Sequence, residues 1–267
     1  MLDSRIEPYL AKYGTMYPFK HLMNLISEYD VRVLNLETPV SALPGKKHPT
    51  KKFTFRGAPY ITQMISRAGF DYVSLGNNHI LDFGTDVMTD TLKNLRKSNI
   101  KFSGTTDTEN LEIIEKNGYK IAFLSFIDSE IVPPGFEKNL CVYDKNSIKS
   151  IKKASKSADF VIVAMHWGTE LDKHASAHQA KIAHEIIDAG ASVVWGHHPH
   201  VIQETEKYKK GVIFYSLGNF IFSHLSPSIT LGMIVGLHIK DGKIANISEH
   251  IINNDNYLVH YAPRLKR

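Results

Sequence analysis

Apolar residues recur along the chain in runs of strand length, at Val31 to Leu36, Tyr72 to Leu75, Lys120 to Ile127, Phe160 to Met165, Ser192 to Trp195 and Val212 to Phe222. Between them, residues spaced three and four apart predict helices near Pro18 to Tyr29, Ala58 to Ala68, Thr85 to Ser98, Asn146 to Ser157 and Ser176 to Ala189. Gly69 and Gly190 stand where two of these helices should stop. Strand, loop and helix alternate over most of the chain, which predicts an α/β fold around a largely buried sheet. The tail, residues 229–267, differs. Two strand-like runs flank Asp241-Gly242 there, a hairpin signal that predicts carboxyl-terminal antiparallel strands. No fixed-period repeat, low-complexity tract or linker divides residues 1–267, so a single domain is expected.

Composition narrows the class. Of 267 residues, 43% are hydrophobic and 22% charged, as in ordinary packed proteins, which excludes disordered, collagen-like and coiled-coil chains. The formal net charge of +5 is too small to mark a dedicated nucleic-acid binder. Cys141 stands alone, so the fold needs no intrachain disulfide. The amino terminus carries Asp3, Arg5, Glu7 and Lys12 and lacks the apolar run of a signal peptide, so the chain as given is expected to be soluble. From Gly211 to Ile239 there is no Asp, Glu, Lys or Arg, a length sufficient to cross a bilayer. Ser216, Asn219, Ser223, His224, Ser226, Pro227 and Ser228 interrupt it, and short buried strands on either side of a turn are the better expectation.

The 14 histidines are the compositional oddity, and several follow strands. Ligands of open α/β sheets bind at the carboxyl ends of strands. There the chain places Asn35 and Glu37, then Gly76-Asn77-Asn78-His79 with Asp82, then His166 to Glu170, then Gly196-His197-His198-Pro199-His200, and finally Ser216 to Phe220. Imidazoles, carboxylates and amide oxygens at one edge form a mixed N/O set suited to Zn, Mn or Fe. A lone His beside a strand is usually a hydrogen-bonded structural residue, but a plain turn has no need of three His in four positions around a Pro. His174 and His178, four apart at a helix start, lack an evident third ligand and read as solvated or capping residues.

Five segments in this order carry a resemblance: NLE at Asn35 to Glu37, GNNHILDFG at Gly76 to Gly84, HWGTE at His166 to Glu170, GHHPHVIQ at Gly196 to Gln203 and YSLGNFIF at Tyr215 to Phe222. With FTFRGAP at Phe53 to Pro59, AGFDYVSL at Ala68 to Leu75, SGT at Ser103 to Thr105 and IIDAG at Ile186 to Gly190, they resemble the CapA family of poly-γ-glutamate capsule biosynthesis proteins, within the calcineurin-like metallophosphoesterases. The resemblance implies an α/β/β/α sandwich, two mixed sheets flanked by helices, with two divalent metals at the strand ends. It implies Glu37, Asn78, His166, His198 and His200 as metal ligands, His197 being an alternative to His198. Asn35, Asn77 and Glu170 would be ligands or their supports. His79 would assist the leaving group while the metals, about 3.5 to 4 Å apart, activate water. Asp82 would orient His79, or else cap the helix from Thr85. Arg56 would hold an anionic substrate group or else be a surface residue, and Asn219 would line the site or else serve the turn.

The family's first strand ends in a Gly-Asp pair just ahead of a Met-Leu like Met1-Leu2, and the Asp is a metal ligand, so by resemblance this strand and ligand are missing. Asp3, on the far side of Met1-Leu2, is not an obvious substitute. One weakly held metal, or two with a replacement ligand, is then the expectation, together with an unpaired sheet edge that favours a homodimer. The family implies a membrane-anchored, extracytoplasmic setting and capsule-synthesis membrane proteins as partners. Two functions compete: a metal-dependent phosphoesterase-like hydrolase acting on poly-γ-glutamate or its carrier, and a non-catalytic component that tethers an anionic polymer through Lys46, Lys47, Lys51 and Lys52. A charge run is more often a solvated loop.

Overall fold

The apolar runs pair as strands in three hydrogen-bonded sets, seen in a computed structural model that describes residues 2–222 and 230–262. Strands β1 (Val33–Asn35), β2 (Tyr72–Ser74) and β3 (Lys101–Ser103) form a parallel sheet. A six-stranded sheet contains β4 (Glu112–Lys116), β5 (Tyr119–Ile127), β6 (Phe160–His166), β7 (Val193–His197), β8 (Thr205–Tyr208) and β9 (Gly211–Phe214), in the order β4-β5-β6-β7-β9-β8. Its β5, β6, β7 and β9 are parallel, and antiparallel β4 and β8 close the edges. The tail forms an antiparallel sheet of β10 (Leu231–Lys240), β11 (Lys243–Asp255) and β12 (Leu258–Tyr261), with Asp241 and Gly242 at positive φ in the β10–β11 turn.

Packing produces four layers. The inner faces of the sheets meet through Tyr72, Phe123, Ala164 and Trp195, the rings of Tyr72 and Phe123 stacking at 4.6 Å. The tail sheet packs onto the same six-stranded face, Met233, Val235 and Leu237 lying among Val193, Val212 and Phe214. Helices α1 (Glu7–Tyr13), α2 (Met23–Ser27), α3 (Tyr60–Arg67) and α4 (Thr85–Lys97) contribute to the core on the side of the parallel sheet. Helices α5 (Lys145–Ala154) and α6 (Ala177–Asp188) cover the outer face of the large sheet through Ile151, Ala154, Ile182, Ala183 and Ile186. Capping boxes at Asp144 and Ser176 start these two helices by satisfying free amide groups. Helices, two facing sheets and helices are the layer order that the resemblance implies.

The outer edge of β1 and the edge of β10 beyond Met233 pair with no other strand among the described residues. Both border one apolar slot of about 810 Å³, lined also by Leu25, Phe123, Ile162 and Trp195. Its lining includes Asn117, Glu37 and Asn219. Native interiors have few voids larger than a water molecule, so a slot of this size between two open edges is an exception.

Some boundaries differ from the sequence pattern. The run Val212 to Phe222 is not one strand: β9 ends at Phe214, and Leu217 to Asn219 instead bridge to Ile202 and β10. The Pro18 to Tyr29 helix breaks into a 3-10 turn, Tyr17–Phe19, and the short α2. Strands β3, β4 and β8 and helix α1 escaped the pattern because they are short, and all but β3 are largely solvent-facing. The interrupting residues Ser223 to Ser228 lie outside the described residues. No helix among the described residues is long and apolar enough to cross a membrane.

Candidate metal centre

Parallel strands deliver their carboxyl ends to one edge, and the loops there bring distant residues together. His166, the last residue of β6, has Nε2 3.0 Å from Asn78 Oδ1 and 3.4 Å from Glu37 Oε1. His200 Nε2 lies 3.7 Å from the same carboxylate oxygen. Glu37, His198 and His200 each offer a ligand atom, and these atoms lie within 4.8 Å of one another. The His166 and His198 rings are 4.9 Å apart. Glu37 thus groups with His198 and His200 on one side and meets the Asn78–His166 pair on the other.

The fit to a cation rests on unsatisfied atoms. Glu37 Oε1 and His198 Nδ1 are buried and have no hydrogen-bond partner, the imidazoles of His166 and His200 standing 3.4 and 3.7 Å from the carboxylate oxygen, an arrangement that is costly unless something binds them. Burial opposes the charge on Glu37, but the imidazoles of His166 and His200 outweigh it and hold the carboxyl well below its usual range. Burial pushes His166 down against the pull of Glu37, and pushes His198 down to about 2. Neutral imidazoles beside a carboxylate are the protonation states that divalent metals need. The backbone adds a second sign: His198 and His200 have φ of 101° and 59°, a conformation rare outside glycine and concentrated at functional sites. Gly196 makes the close approach behind them, because a Cβ there would lie 2.0 Å from the Tyr215 carbonyl oxygen.

Neighbouring residues take distinct positions. Asn35 Nδ2 donates to Glu37 Oε2 at 3.3 Å, and Asn35 Oδ1 accepts from Ser74 Oγ at 3.0 Å. Asn77 Oδ1 accepts from the amides of His79 and Ile80, so this side chain builds the turn that presents Asn78 and His79. His197 does not join the cluster with His198; its ring borders the slot and packs edge-on against Trp195, with burial pushing it down to about 3. Glu170 is exposed and outside the cluster. Asn219 Oδ1 is 2.9 Å from His200 Nδ1 and fixes that ring. Arg56 Nη1 donates to the carbonyls of Leu43, at 2.6 Å, and Pro44, so this end of the guanidinium ties down its own loop. Asp3 is engaged by Arg5 and caps the first turn, apart from the Glu37 cluster. His174 and His178 diverge: His174 meets Glu204, whereas His178 meets Asp128 at 2.9 Å and Glu130 at 3.9 Å, carboxylates that the sequence pattern did not connect to it.

Beside the cluster, His79 Nδ1 is 2.7 Å from Asp82 Oδ2, which also accepts from the Phe55 amide at 2.7 Å. Asp82 does not cap α4, whose N-cap is Gly84 without a side-chain bond. The Phe55 ring meets His79 edge-on at 4.7 Å. Lys51 turns inward here, with Nζ 2.5 Å from Asp82 Oδ1 and 2.5 Å from the Asn78 carbonyl oxygen. Lys46, Lys47 and Lys52 remain exposed. The place of Lys51 had no signal in the sequence, where it stands in a basic loop like the others.

A family profile described as "Bacterial capsule synthesis protein PGA_cap" matches residues 1–224. The capsule biosynthesis protein CapA of Bacillus anthracis is 31% identical over 260 residues, spanning 92% of this chain and 63% of that protein. The PGA biosynthesis protein CapA of Bacillus subtilis is 31% identical over 251 residues, spanning 90% of this chain and 66% of that protein. The chain thus spans under two thirds of the length of these relatives. Among solved structures, a phosphatase from Mycoplasma pneumoniae superposes with a TM-score of 0.55 at 14% identity, covering 93% of this chain and 86% of that one, a likeness of fold alone.

Proposed function

The chain belongs to the bacterial capsule synthesis protein family PGA_cap, and on that premise we propose that it is a metal-dependent, phosphoesterase-like hydrolase acting in the assembly of poly-γ-glutamate capsule. The observation that carries this reading is the convergence of Glu37, Asn78, His166, His198 and His200, with buried unsatisfied atoms, beside the His79–Asp82 pair. Those five residues would hold divalent cations, two in a complete site, of Mn, Zn or Fe type. When bound, such cations polarise a phosphoryl oxygen and lower the pKa of water. The chain's own part is orientation and proton handling. Asp82 accepts from His79 Nδ1–H, which leaves Nε2 as the atom that delivers a proton to a departing oxygen. Phe55 screens that ring from water on one side.

The test is hydrolysis of bis-p-nitrophenyl phosphate by protein loaded with Mn²⁺ or Zn²⁺, with metal content measured in parallel. His79→Ala should abolish turnover and leave metal content unchanged. Metal-loaded protein that is inert on phosphoesters would sink the hydrolase reading.

A second reading is favoured by the exposure of Lys46, Lys47 and Lys52 on one loop near the site: a tether for an anionic polymer such as poly-γ-glutamate. It predicts that neutralising these three lysines lowers polyglutamate binding at low salt. Binding that is unchanged removes it. In either reading the partners are an anionic polymer or phosphoester, membrane proteins of capsule synthesis and a second copy in a homodimer.

A further inference from the structure

Resting on the hydrolase reading above, we propose that Lys51 is a positioning residue of this site, the third member of a Lys51–Asp82–His79 chain that fixes the orientation of the His79 ring. The Asp82 side chain is fully buried, and a buried carboxylate must be paired and hydrogen-bonded on both oxygens. Its Oδ2 takes His79 Nδ1–H and the Phe55 amide, and its Oδ1 takes the Lys51 ammonium. A second Lys51 proton goes to the carbonyl oxygen of Asn78, and Nζ also stands 3.1 Å from His79 Nδ1, so the ammonium touches the ring as well as the carboxylate that holds it. One ammonium thus joins the backbone of the residue proposed as an amide ligand to the carboxylate that aims the adjacent imidazole. The Lys51 side chain is 15% exposed, so these bonds stand in a partly dry environment where a charged donor is strong.

The same contact positions a loop. His48 N donates to the Asp82 carbonyl and Lys46 N to the Phe83 carbonyl, so residues 46–55 are stitched along the turn that follows His79. Lys51 is the side-chain latch of that seam. With Nδ1 of His79 held by Asp82, and with Lys51 holding the other oxygen of Asp82, the carboxylate has no freedom to rotate away, and Nε2 stays directed to the reacting groups.

The experiment compares Lys51→Met, Lys51→Arg and, as control, Lys93→Ala at an exposed position of α4. In metal-loaded protein, Lys51→Met should lower kcat by about tenfold or more with KM nearly constant and metal content unchanged, and Lys51→Arg should restore most of the loss. Loss through KM or metal content, or an unaltered kcat, would overturn the proposal. If the wild type proves inert on phosphoesters, the hydrolase reading has failed on its own, and the positioning role is read instead from ¹⁵N-histidine spectra of metal-free protein. There His79 should show a slowly exchanging Nδ1–H in wild type and Lys51→Arg that is lost in Lys51→Met. The same signal in all three overturns the proposal. Should Lys51→Met fail to fold, Lys51→Gln, which is also uncharged, replaces it in both measurements.

Discussion

His166 Nε2 and Asn78 Oδ1 stand 3.0 Å apart although 88 residues separate them. One ends the β6 strand of the large sheet and the other sits in the turn after β2 of the parallel sheet, so the contact joins the two sheets of the sandwich. Glu37, after β1, completes the meeting 3.4 Å from the same imidazole nitrogen. The candidate centre is therefore a junction between sheets, and its integrity reports on their relative placement.

Cation binding at this junction should stabilise the fold. At a free metal concentration about 100 times Kd, binding adds about 2.7 kcal/mol, enough to raise the melting temperature by roughly 5–10 °C in a chain of this size. Differential scanning fluorimetry with EDTA or with Mn²⁺ should show this rise in wild type and almost none in Glu37→Gln or His200→Ala. Equal rises in all three would place the metal elsewhere.

Metal-free protein should weaken in acid. His198 is held at about 2 in the fold against an ordinary value of 6.5, so below pH 6.5 the unfolded chain takes up a proton that the folded chain refuses. The stability present above pH 6.5 is lost progressively as pH falls toward the folded value. Between pH 7.5 and 5.0 this one group accounts for about 2 kcal/mol. Urea midpoints in EDTA should fall accordingly, and His198→Asn should flatten that part of the profile.

Gly196→Ala should distort the centre without touching a ligand. The new methyl would meet the Tyr215 carbonyl oxygen at 2.0 Å and Trp167 Nε1 at 2.7 Å, atoms that are themselves hydrogen-bonded at 2.9 Å. A destabilisation of about 1–3 kcal/mol by chemical denaturation is expected, with weaker metal binding by titration. A variant as stable as wild type would mean that β7 shifts freely.

The slot between β1 and β10 should bind an apolar dye in the native state. About 810 Å³ of largely apolar space beside Val33, Ile234 and Leu237 suits anilinonaphthalene sulfonate. Fluorescence should rise on adding dye to folded protein and fall in Ile234→Lys, which charges the open edge. Light scattering should show less self-association in the same variant.

Cys141 should be inert. Burial pushes its thiol up to about 12, so almost no thiolate exists at neutral pH. Ellman's reagent should react slowly with folded protein and rapidly in urea.

The order of residues along the chain is enough to read the strand-and-helix alternation, the tail hairpin at Asp241-Gly242 and the family resemblance. Each of these depends on residues close together in the chain: buried parallel strands must be continuously apolar, and the turn needs two residues that tolerate positive φ. Position along the chain placed Glu37, Asn78, His166, His198 and His200 only among the polar residues that follow strands, and the resemblance named them as ligands. Tertiary structure alone decided the rest. It separated His198 from His197, because β7 ends at His197 and the chain turns at His198, so that His198 and not His197 groups with Glu37 and His200. It directed Asp82 to His79 instead of to the helix after it, and turned Lys51 inward while Lys46, Lys47 and Lys52 stayed in solvent. It also left Glu170 outside the cluster. Composition and spacing cannot make these choices, because each depends on which buried charge lacks a partner once the sheets have packed, and burial is a property of the assembled fold.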